Sequence, residues 1–417
     1  MKITNIELYH VGIPLKKTFY PSWIPEYPQT VNRFTFLKLT TDNDLVGTAA
    51  GMAFEEEREG LGSVLGSYLL GIDPTNMPLV HQRLKELTVL GWRNFWIETA
   101  FYDLWAQSED KPLWKLLGGR DKPIPVYWST GSVINPNNHT KVCQQAENEG
   151  YQAIKLRAKQ KTLEDDIKGV HEVRKRFGHN DFPLAVDANQ GWNITIVGVV
   201  PDWTLDRAKQ FIDQTMDQNL WWLEEPLDWH NYEEYAELRE HSSSAGGPKI
   251  AGGELNYGWH ELRLFMHFKS LDLYQPDATF SGIIDSVKII KATRELGLGF
   301  NPHTWTNGHG LWVNMHVYSL TDREYPLEYP HEPGTWTPEI RDGMMKEPII
   351  PKDGYLELPQ EAGLAAPLDW EKIEKYGRKY FSMTEGDLKK KVIKEKGLIT
   401  ALKLKRAKNK GEKSRKS

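Results

Sequence analysis

Three carboxylates, each at the end of a short apolar run, have the residue type and spacing of a metal site. The runs FPLAVDANQ, WWLEEP and KIAGGE carry Asp187, Glu224 and Glu254 at their ends. If the runs are consecutive parallel strands, these side chains meet at one edge of a sheet. Oxygen ligands without histidine or cysteine suit a hard cation that keeps water or substrate in its other positions. The sequence therefore predicts a Mg²⁺ site and makes zinc a poor candidate.

A carboxylate and a histidine end the next two runs of this kind. LDLYQPD carries Asp277 and LGFNPH carries His303, so the two residues are expected to be neighbours. A carboxylate bonded to one imidazole nitrogen fixes the tautomer and raises the basicity of the other nitrogen. We interpret the pair as a general base. The alternative is a histidine that only packs beside a loop, which is common for an isolated histidine and less so within an ordered series.

Two cations lie two residues apart in the run AIKLRAK. Lys155 and Arg157 would project from the same side of a strand. Together they could attract a substrate carboxylate and stabilise the negative charge of a developing enolate. Lys159 shares their parity but is expected to lie beyond the strand. The alternative interpretation is a solvated basic turn.

These residues belong to a series of apolar runs that starts at Pro125, each run ending in polar residues and followed by a helical stretch. The intervals between the polar ends range from 23 to 37 residues, and a (β/α)₈ barrel needs about 31 residues per unit. The series therefore predicts a modified (β/α)₈ (TIM-type) barrel in the α/β class, with its active site at the carboxyl ends of the strands. The eight runs are PVYWSTG, AIKLRAK, FPLAVDANQ, WWLEEP, KIAGGE, LDLYQPD, LGFNPH and YPLEYP.

The first 125 residues have a different texture, with alternating apolar residues early and a helical pattern over Asn94–Gln107. This indicates an α+β capping domain. Two loops are predicted within it, an aromatic- and proline-rich one at Phe19–Pro28 and a glycine-containing one at Gly47–Phe54. The predicted division is a cap at 1–125, a barrel at 126–345, a segment at 346–383 that returns to the cap, and a mobile basic tail at 384–417.

Composition limits the classes of partner. The 417 residues include 16 Trp and a single cysteine, Cys143, which excludes a disulfide framework and a thiolate metal site. The tail carries 13 Lys/Arg against 4 Asp/Glu, so a net charge of −5 leaves the rest of the chain at about −14. An acidic body argues against nucleic acid as a partner, and we interpret the tail as a solvated or weakly helical appendage, the alternative being a nucleic-acid or membrane arm. No stretch resembles a signal peptide or a membrane span, so we expect a cytoplasmic protein.

In order and spacing, the motifs resemble those of the mandelate racemase/muconate lactonising branch of the enolase superfamily. The resemblance extends from residue 1 to about 383 and includes the segment IETAFYDLWAQSEDKPLWKLLGG, which is similar to that family's junction between cap and barrel. The motifs that carry it are KLR at 155–157, DAN at 187–189, LEEP at 223–226, GGE at 252–254, QPD at 275–277, PH at 302–303 and LE at 327–328.

The resemblance implies roles at the matching positions. Asp187, Glu224 and Glu254 would ligate Mg²⁺, and Asp277 with His303 would form the acid/base dyad. Lys155 would contact the substrate carboxylate, and Glu328 would bond to the carboxylate or the enolate oxygen. The two cap loops would close over the site and select the substrate. We predict substrate contacts from Asn189, Tyr20, Trp23 and Trp305.

One position departs from the family pattern. Arg157 stands where a catalytic lysine is usual, and an arginine is effectively always protonated, so it is a poor proton acceptor. A racemase needs a base on each face of the α-carbon. The departure therefore favours a reaction with one base and leaves Arg157 as an electrostatic anchor.

The function predicted from these observations is Mg²⁺-dependent removal of the proton α to a carboxylate, followed by loss of water, which converts a sugar acid to a 2-keto-3-deoxy acid. The rival hypotheses are a racemase or epimerase on the same scaffold and a catalytically inert barrel that serves as a binding protein. Metal-dependent hydrolysis is disfavoured because no ligand set for a second metal is visible. We expect a small carboxylate as the substrate, neither nucleic acid nor membrane as a partner, and a homo-oligomer, either a dimer or an octamer.

Overall fold

The computed structural model describes residues 1–52, 60–89, 94–178, 182–192, 194 and 202–414. Its strands form an antiparallel sheet and a larger, mostly parallel sheet. The strands are β1 Ile3–Phe19, β2 Gln29–Thr41, β3 Val46–Met52, β4 Ile124–Ser129, β5 Ile154–Arg157, β6 Leu184–Asp187, β7 Leu220–Glu224, β8 Lys249–Gly252, β9 Leu273–Tyr274, β10 Gly299–Phe300, β11 Leu327–Pro330, β12 Tyr355–Leu356 and β13 Gly377–Thr384.

The helices surround the parallel sheet and cover the cap sheet. Short 3₁₀ turns occur at Phe95–Ile97, Pro136–Asn138 and Met216–Gln218. The α-helices are α1 Leu61–Leu69, α2 Met77–Thr88, α3 Glu98–Ser108, α4 Leu113–Leu116, α5 His139–Asn148, α6 Leu163–Arg176, α7 Leu205–Thr215, α8 Tyr232–Ala245, α9 Gly258–Phe268, α10 Ala278–Ser281, α11 Ile283–Glu295, α12 Gly308–Tyr318, α13 Pro338–Arg341, α14 Trp370–Tyr376, α15 Glu385–Lys396 and α16 Leu398–Ser414.

The parallel sheet is the barrel that the sequence predicts. Its strands follow one another in the order β10-β9-β8-β7-β6-β5-β4-β11. Between β10 and β11 the described residues make side-chain contacts: the Asn301 amide donates to the Pro326 carbonyl at 3.0 Å, and the Thr304 hydroxyl donates to the Glu328 carbonyl at 2.9 Å. Helix α6 connects β5 to β6 and packs through its apolar face. Thr162 caps its first turn, and Ile167, Val170 and Val173 bury its apolar face.

The cap sheet has the order β13-β1-β2-β3, so it combines strands from distant parts of the chain. Alternate residues of β1, such as Ile6 and Leu8, are buried in one core with residues of α1 such as Leu65. The segment after residue 345 contributes to both units, because β12 pairs with β4 of the barrel and β13 pairs with β1 of the cap. This arrangement fixes the cap over the barrel.

The prediction of a loop at Gly47–Phe54 was wrong for the part that the structure describes. Gly47–Met52 belongs to β3, which pairs with β2 from Val46 to Met52, whereas residues 53 and 54 lie outside the described residues. Glycine is rare in strands, but it is required here because helix α3 and the turn before it pack against β3. A Cβ at Gly51 would lie 2.6 Å from the Trp96 ring. Close packing, not a turn, explains this glycine.

Most of residues 385–414 of the predicted tail are helical in the structure, in α15 and α16, which are separated by Gly397. Thr384 and Asp387 form a capping box at the start of α15, and Leu388 packs against the cap core. The mobility predicted for this tail stays a prediction. Among the described helices, none combines the length and the apolar character that crossing a bilayer would require.

Candidate active site

The three predicted metal-binding carboxylates lie together at the carboxyl ends of adjacent barrel strands. Asp187 and Glu224 are the last residues of β6 and β7, and Glu254 follows β8 by two residues. One oxygen from each lies within 4.8 Å of the others. Burial raises the pKa of Glu224 and of Glu254, and repulsion from neighbouring carboxylates adds to both shifts. A cation between them would relieve this repulsion, so the donor set fits Mg²⁺.

Lys155 neutralises part of this charge from beneath the site. Its ammonium contacts Glu224, lies 2.7 Å from Glu328 and is 3.8 Å from Asp187. Burial alone would lower the pKa of Lys155, but the charges of Glu224 and Glu328 outweigh it, and the pKa lies above its ordinary value. Burial would raise the pKa of Glu328, but Lys155 and His303 lower it to about 2. Both groups are therefore charged at neutral pH.

Arg157 is held on every side. One terminal nitrogen contacts Asp187, the other donates to the Ser129 hydroxyl at 3.2 Å, and Nε donates to the Thr130 carbonyl at 2.6 Å. The guanidinium carbon lies 5.9 Å and 5.6 Å from the ring centroids of Trp23 and Trp305. Such a group is a fixed positive charge and a poor candidate for proton transfer.

Asp277 and His303 form the expected pair. Nδ1 of His303 lies 3.1 Å from Asp277, and Nε2 lies 3.5 Å from Glu254. The other Asp277 oxygen accepts bonds from Thr279 at 2.7 Å and from Asn314 at 2.8 Å, which fixes the carboxylate. Burial would lower the pKa of His303, but Glu254 and Asp277 raise it to about 9. Nε2 is thus the imidazole nitrogen that faces the carboxylate cluster.

A cavity of about 320 Å³ opens onto these groups. Its volume is at the lower end of the range for small-molecule sites. Aromatic rings form much of its wall. Among the predicted site residues, those that line it are Trp23, Arg157, Asn189, Glu254, His303 and Trp305.

The structure does not bring Tyr20 into this cavity. Tyr20 directly follows β1 and is 52% exposed, and it is not among the residues that line the cavity, whereas the preceding Phe19 is 1% exposed and packs against Trp305 and Trp336. Successive side chains at a strand end point to opposite sides. Phe19 therefore occupies the buried position, and the geometry does not support the prediction that Tyr20 contacts the substrate.

Several polar residues join the site that sequence reasoning did not assign. Ser129, the last residue of β4, donates to Glu328 at 2.8 Å and accepts from the Trp305 indole at 2.8 Å. The Gln275 amide and the Trp222 indole donate to the same oxygen of Glu224, at 2.7 and 2.8 Å. Ser129 lies at the end of the first apolar run, and this position in the series is the sequence signal that could have assigned it to the site. No such signal marks Trp222, because its sequence context is that of a core residue.

Glu225 is a further unassigned residue of the cavity wall. It follows Glu224 with a φ of 42°, in the left-handed region, and it is 3% exposed. Burial raises its pKa well above the ordinary value, and the charges of Glu254 and Asp187 add to the shift. A buried acid in this state is a candidate proton carrier or a further partner for a cation.

Comparison with known proteins agrees with the fold. The family model described as Enolase C-terminal domain-like matches residues 139–372. The chain thus belongs to the enolase superfamily, as its motifs indicated.

Relatives in this superfamily catalyse more than one reaction. L-talarate/galactarate dehydratase of Salmonella typhimurium is 29% identical over 300 residues, which cover 66% of this chain and 68% of that protein. N-succinylamino acid racemase of Thermus thermophilus is 23% identical over 394 residues, covering 90% and 97%. The structure of L-talarate dehydratase from Polaromonas sp. JS666, complexed with Mg and L-glucarate, superimposes with a TM-score of 0.74 at 21% identity, covering 92% of this chain and 99% of that one.

Proposed function

We propose that this protein is a Mg²⁺-dependent acid-sugar dehydratase. The observation that carries the proposal is the pair of Asp277 and His303, with Nε2 of the histidine 3.5 Å from Glu254 of the carboxylate cluster. An imidazole that is oriented by a carboxylate and lies beside a cation site is suited to act as the base that removes a proton α to a carboxylate.

Asp187, Glu224 and Glu254 would hold Mg²⁺. When bound, the ion would supply electrostatic stabilisation of the negative charge that develops on the substrate carboxylate. Lys155 would contribute a second positive charge, and its ammonium is paired with Glu328. Arg157 adds a fixed positive charge at the cavity wall.

In the proposed reaction, His303 in its neutral form accepts the α-proton of a 2,3-dihydroxy acid. A cation bound by Glu254 would offset the negative charge that raises the pKa of His303, and so would favour this neutral form. The electrons left on carbon 2 expel the hydroxyl group of carbon 3, which leaves as water after protonation by His303 or by a donor of a cap loop. The enol product then tautomerises to a 2-keto-3-deoxy acid. Atoms balance, because one hydrogen from carbon 2, one hydroxyl from carbon 3 and no other group leave the substrate.

The nearest alternative is a racemase or epimerase, and relatives of this kind are known. That reaction would need a second base. Arg157 is bonded to Asp187, Ser129 and Thr130. Burial lowers the pKa of Lys159 to about 8, but its ammonium donates to the Asn189 carbonyl and it is not among the residues that line the cavity. These contacts favour a one-base reaction.

The test is partial turnover of a library of sugar acids in deuterated water, followed by NMR of product and recovered substrate. We expect a 2-keto-3-deoxy acid to accumulate and the recovered substrate to keep its configuration at carbon 2. Formation of the 2-epimer at a rate comparable to turnover would establish the alternative. Absence of both exchange and product with every acid would overturn the enzymatic proposal.

A further inference from the structure

The cap loop at Phe19–Pro28 is bonded directly to the mouth of the barrel. Pro21 forms an isolated bridge with Ser132, and the backbone amide of Ser22 donates to the Gly131 carbonyl at 2.8 Å. Ser22 is completely buried, and its hydroxyl donates to the side-chain carbonyl of Asn189 at 2.5 Å. The loop therefore reaches a residue two positions from the metal-binding Asp187.

Asn189 has all of its polar side-chain atoms occupied. Its Oδ1 accepts from Ser22 and from Arg157, the latter at 3.3 Å, and its Nδ2 donates to Asp187 at 3.0 Å. Its backbone amide donates to the other oxygen of Asp187 at 2.7 Å. It adopts a φ of 46°, in the left-handed region that asparagine tolerates better than most residues other than glycine. A residue with this many bonds joins two parts of the site.

We propose that Ser22 and Asn189 are positioning residues that couple closure of the cap loop to binding of the cation. Asn189 bonds both oxygens of Asp187 and so orients that carboxylate, while Ser22 holds the amide group of Asn189 from the cap. The inference uses the carboxylate site of the proposed function but none of its chemistry, because it concerns cation binding without substrate.

The coupling must act in both directions. If the bond between Ser22 and Asn189 stabilises the orientation of Asp187 that binds the cation, then a bound cation stabilises the closed loop by the same free energy. Arg157 belongs to the same network, since it contacts Asp187 and Asn189 and lies beside the Trp23 ring. Loosening the loop should therefore lower the affinity for the cation, although none of the three predicted ligands belongs to the loop.

The experiment compares the wild type with Ser22→Ala, and with Thr18→Ala as a matched control that removes an exposed hydroxyl from the end of β1, just before the loop. Mg²⁺ affinity is measured by titration calorimetry, and hydrogen exchange of the amides at 19–28 is measured with and without Mg²⁺. In the wild type and in Thr18→Ala we expect Mg²⁺ to slow exchange in this loop. In Ser22→Ala we expect Mg²⁺ affinity to fall by about 5-fold or more and the protection by Mg²⁺ to be lost.

A purely structural role for Ser22 would speed exchange equally with and without Mg²⁺ and leave the affinity unchanged, and that result would overturn the coupling. So would a wild-type loop whose exchange does not respond to Mg²⁺, or a wild type that binds no Mg²⁺. A wild type that binds no Mg²⁺ would overturn the proposed function as well, whereas a protein that binds Mg²⁺ but dehydrates no sugar acid would overturn the proposed function and leave the coupling standing. Asn189→Ser provides a second variant that shortens the linking side chain, with the same expected direction.

Discussion

The two flanks of the cavity hold their charged groups in different ways. On the β5 flank, the cations of Lys155 and Arg157 are each surrounded by carboxylates and hydrogen-bond acceptors. On the β10 flank, His303 has one nitrogen bound to Asp277 and the other directed at the carboxylate cluster. A fully paired cation stabilises charge and does not move it, whereas an imidazole held from one side can exchange a proton at the other. On this contrast we base the proposal that the first flank binds the substrate and the second transfers the proton.

The largest expected effect removes the proton acceptor. His303→Asn should abolish exchange of the substrate α-proton, a loss of about 10²–10⁴-fold, because the proton would have no base on that flank. The check is NMR in deuterated water. His241→Asn is the matched control, since His241 lies outside the cavity on α8 and pairs with Asp213 at 2.7 Å. Exchange near the wild-type rate in His303→Asn would move the base to the opposite flank.

Metal removal should have an effect of similar size. Chelation should abolish activity and Mg²⁺ should restore it, because the buried carboxylates repel one another without a cation. Glu224→Gln should be folded and inactive, whereas Glu237→Gln, which changes an exposed glutamate paired with Lys209, should behave like the wild type. Circular dichroism checks the fold and a coupled assay checks turnover. Full activity of Glu224→Gln after removal of the metal would exclude Glu224 as a metal ligand.

A smaller loss is expected when the histidine keeps its place but loses its orienting partner. Asp277→Asn should lower kcat about 10–100-fold, by analogy with residues that orient a functional imidazole. Asp213→Asn removes the carboxylate of the exposed pair on the barrel surface and serves as the control. A wild-type rate of α-proton exchange in Asp277→Asn would mean that packing alone orients His303.

Changing the fixed cation tests the flank assigned to binding. Arg157→Lys keeps the charge but loses the paired contacts to Asp187 and Ser129, so dehydration should slow by about 10-fold. A lysine there could also accept a proton, and the recovered substrate should then contain some 2-epimer. Arg207→Lys, at an ion pair with Asp166 outside the cavity, is the control. If Arg157→Lys dehydrates the substrate at the wild-type rate and forms no 2-epimer, Arg157 has no role in the reaction.

The smallest effect concerns the basic helices. Deleting residues 385–417 keeps β13, and no predicted site residue lies beyond residue 328, so turnover should be unchanged within about 2-fold. Loss of the Leu388 packing on the cap should lower the melting temperature slightly. A large fall in kcat would show that the helices reach an active site.

The barrel and its polar ends were predictable because each strand carries two sequence signals. One is the apolar run, and the other is the polar residue that ends it. Asp187, Glu224, Glu254, Asp277 and His303 all followed this rule. Gly47–Met52 was assigned to a loop because glycine suggests a turn, and only the packing of Trp96 on Gly51 reveals the reason for it. The bond between Ser22 and Asn189 joins residues 167 positions apart, and no local pattern encodes it.

The pairing of β1 with β13 has a consequence for the order of assembly. Asn5 lies opposite Thr384, and Lys379 bonds to Glu7 across 372 positions of the chain. Contacts between such distant segments form late, and a chain emerging from the ribosome folds its earlier segments first. The barrel strands can therefore associate while β1 still lacks one neighbour. The cap sheet, whose strands β1 and β2 flank the loop with Ser22, is completed only when β13 pairs with β1 at its edge.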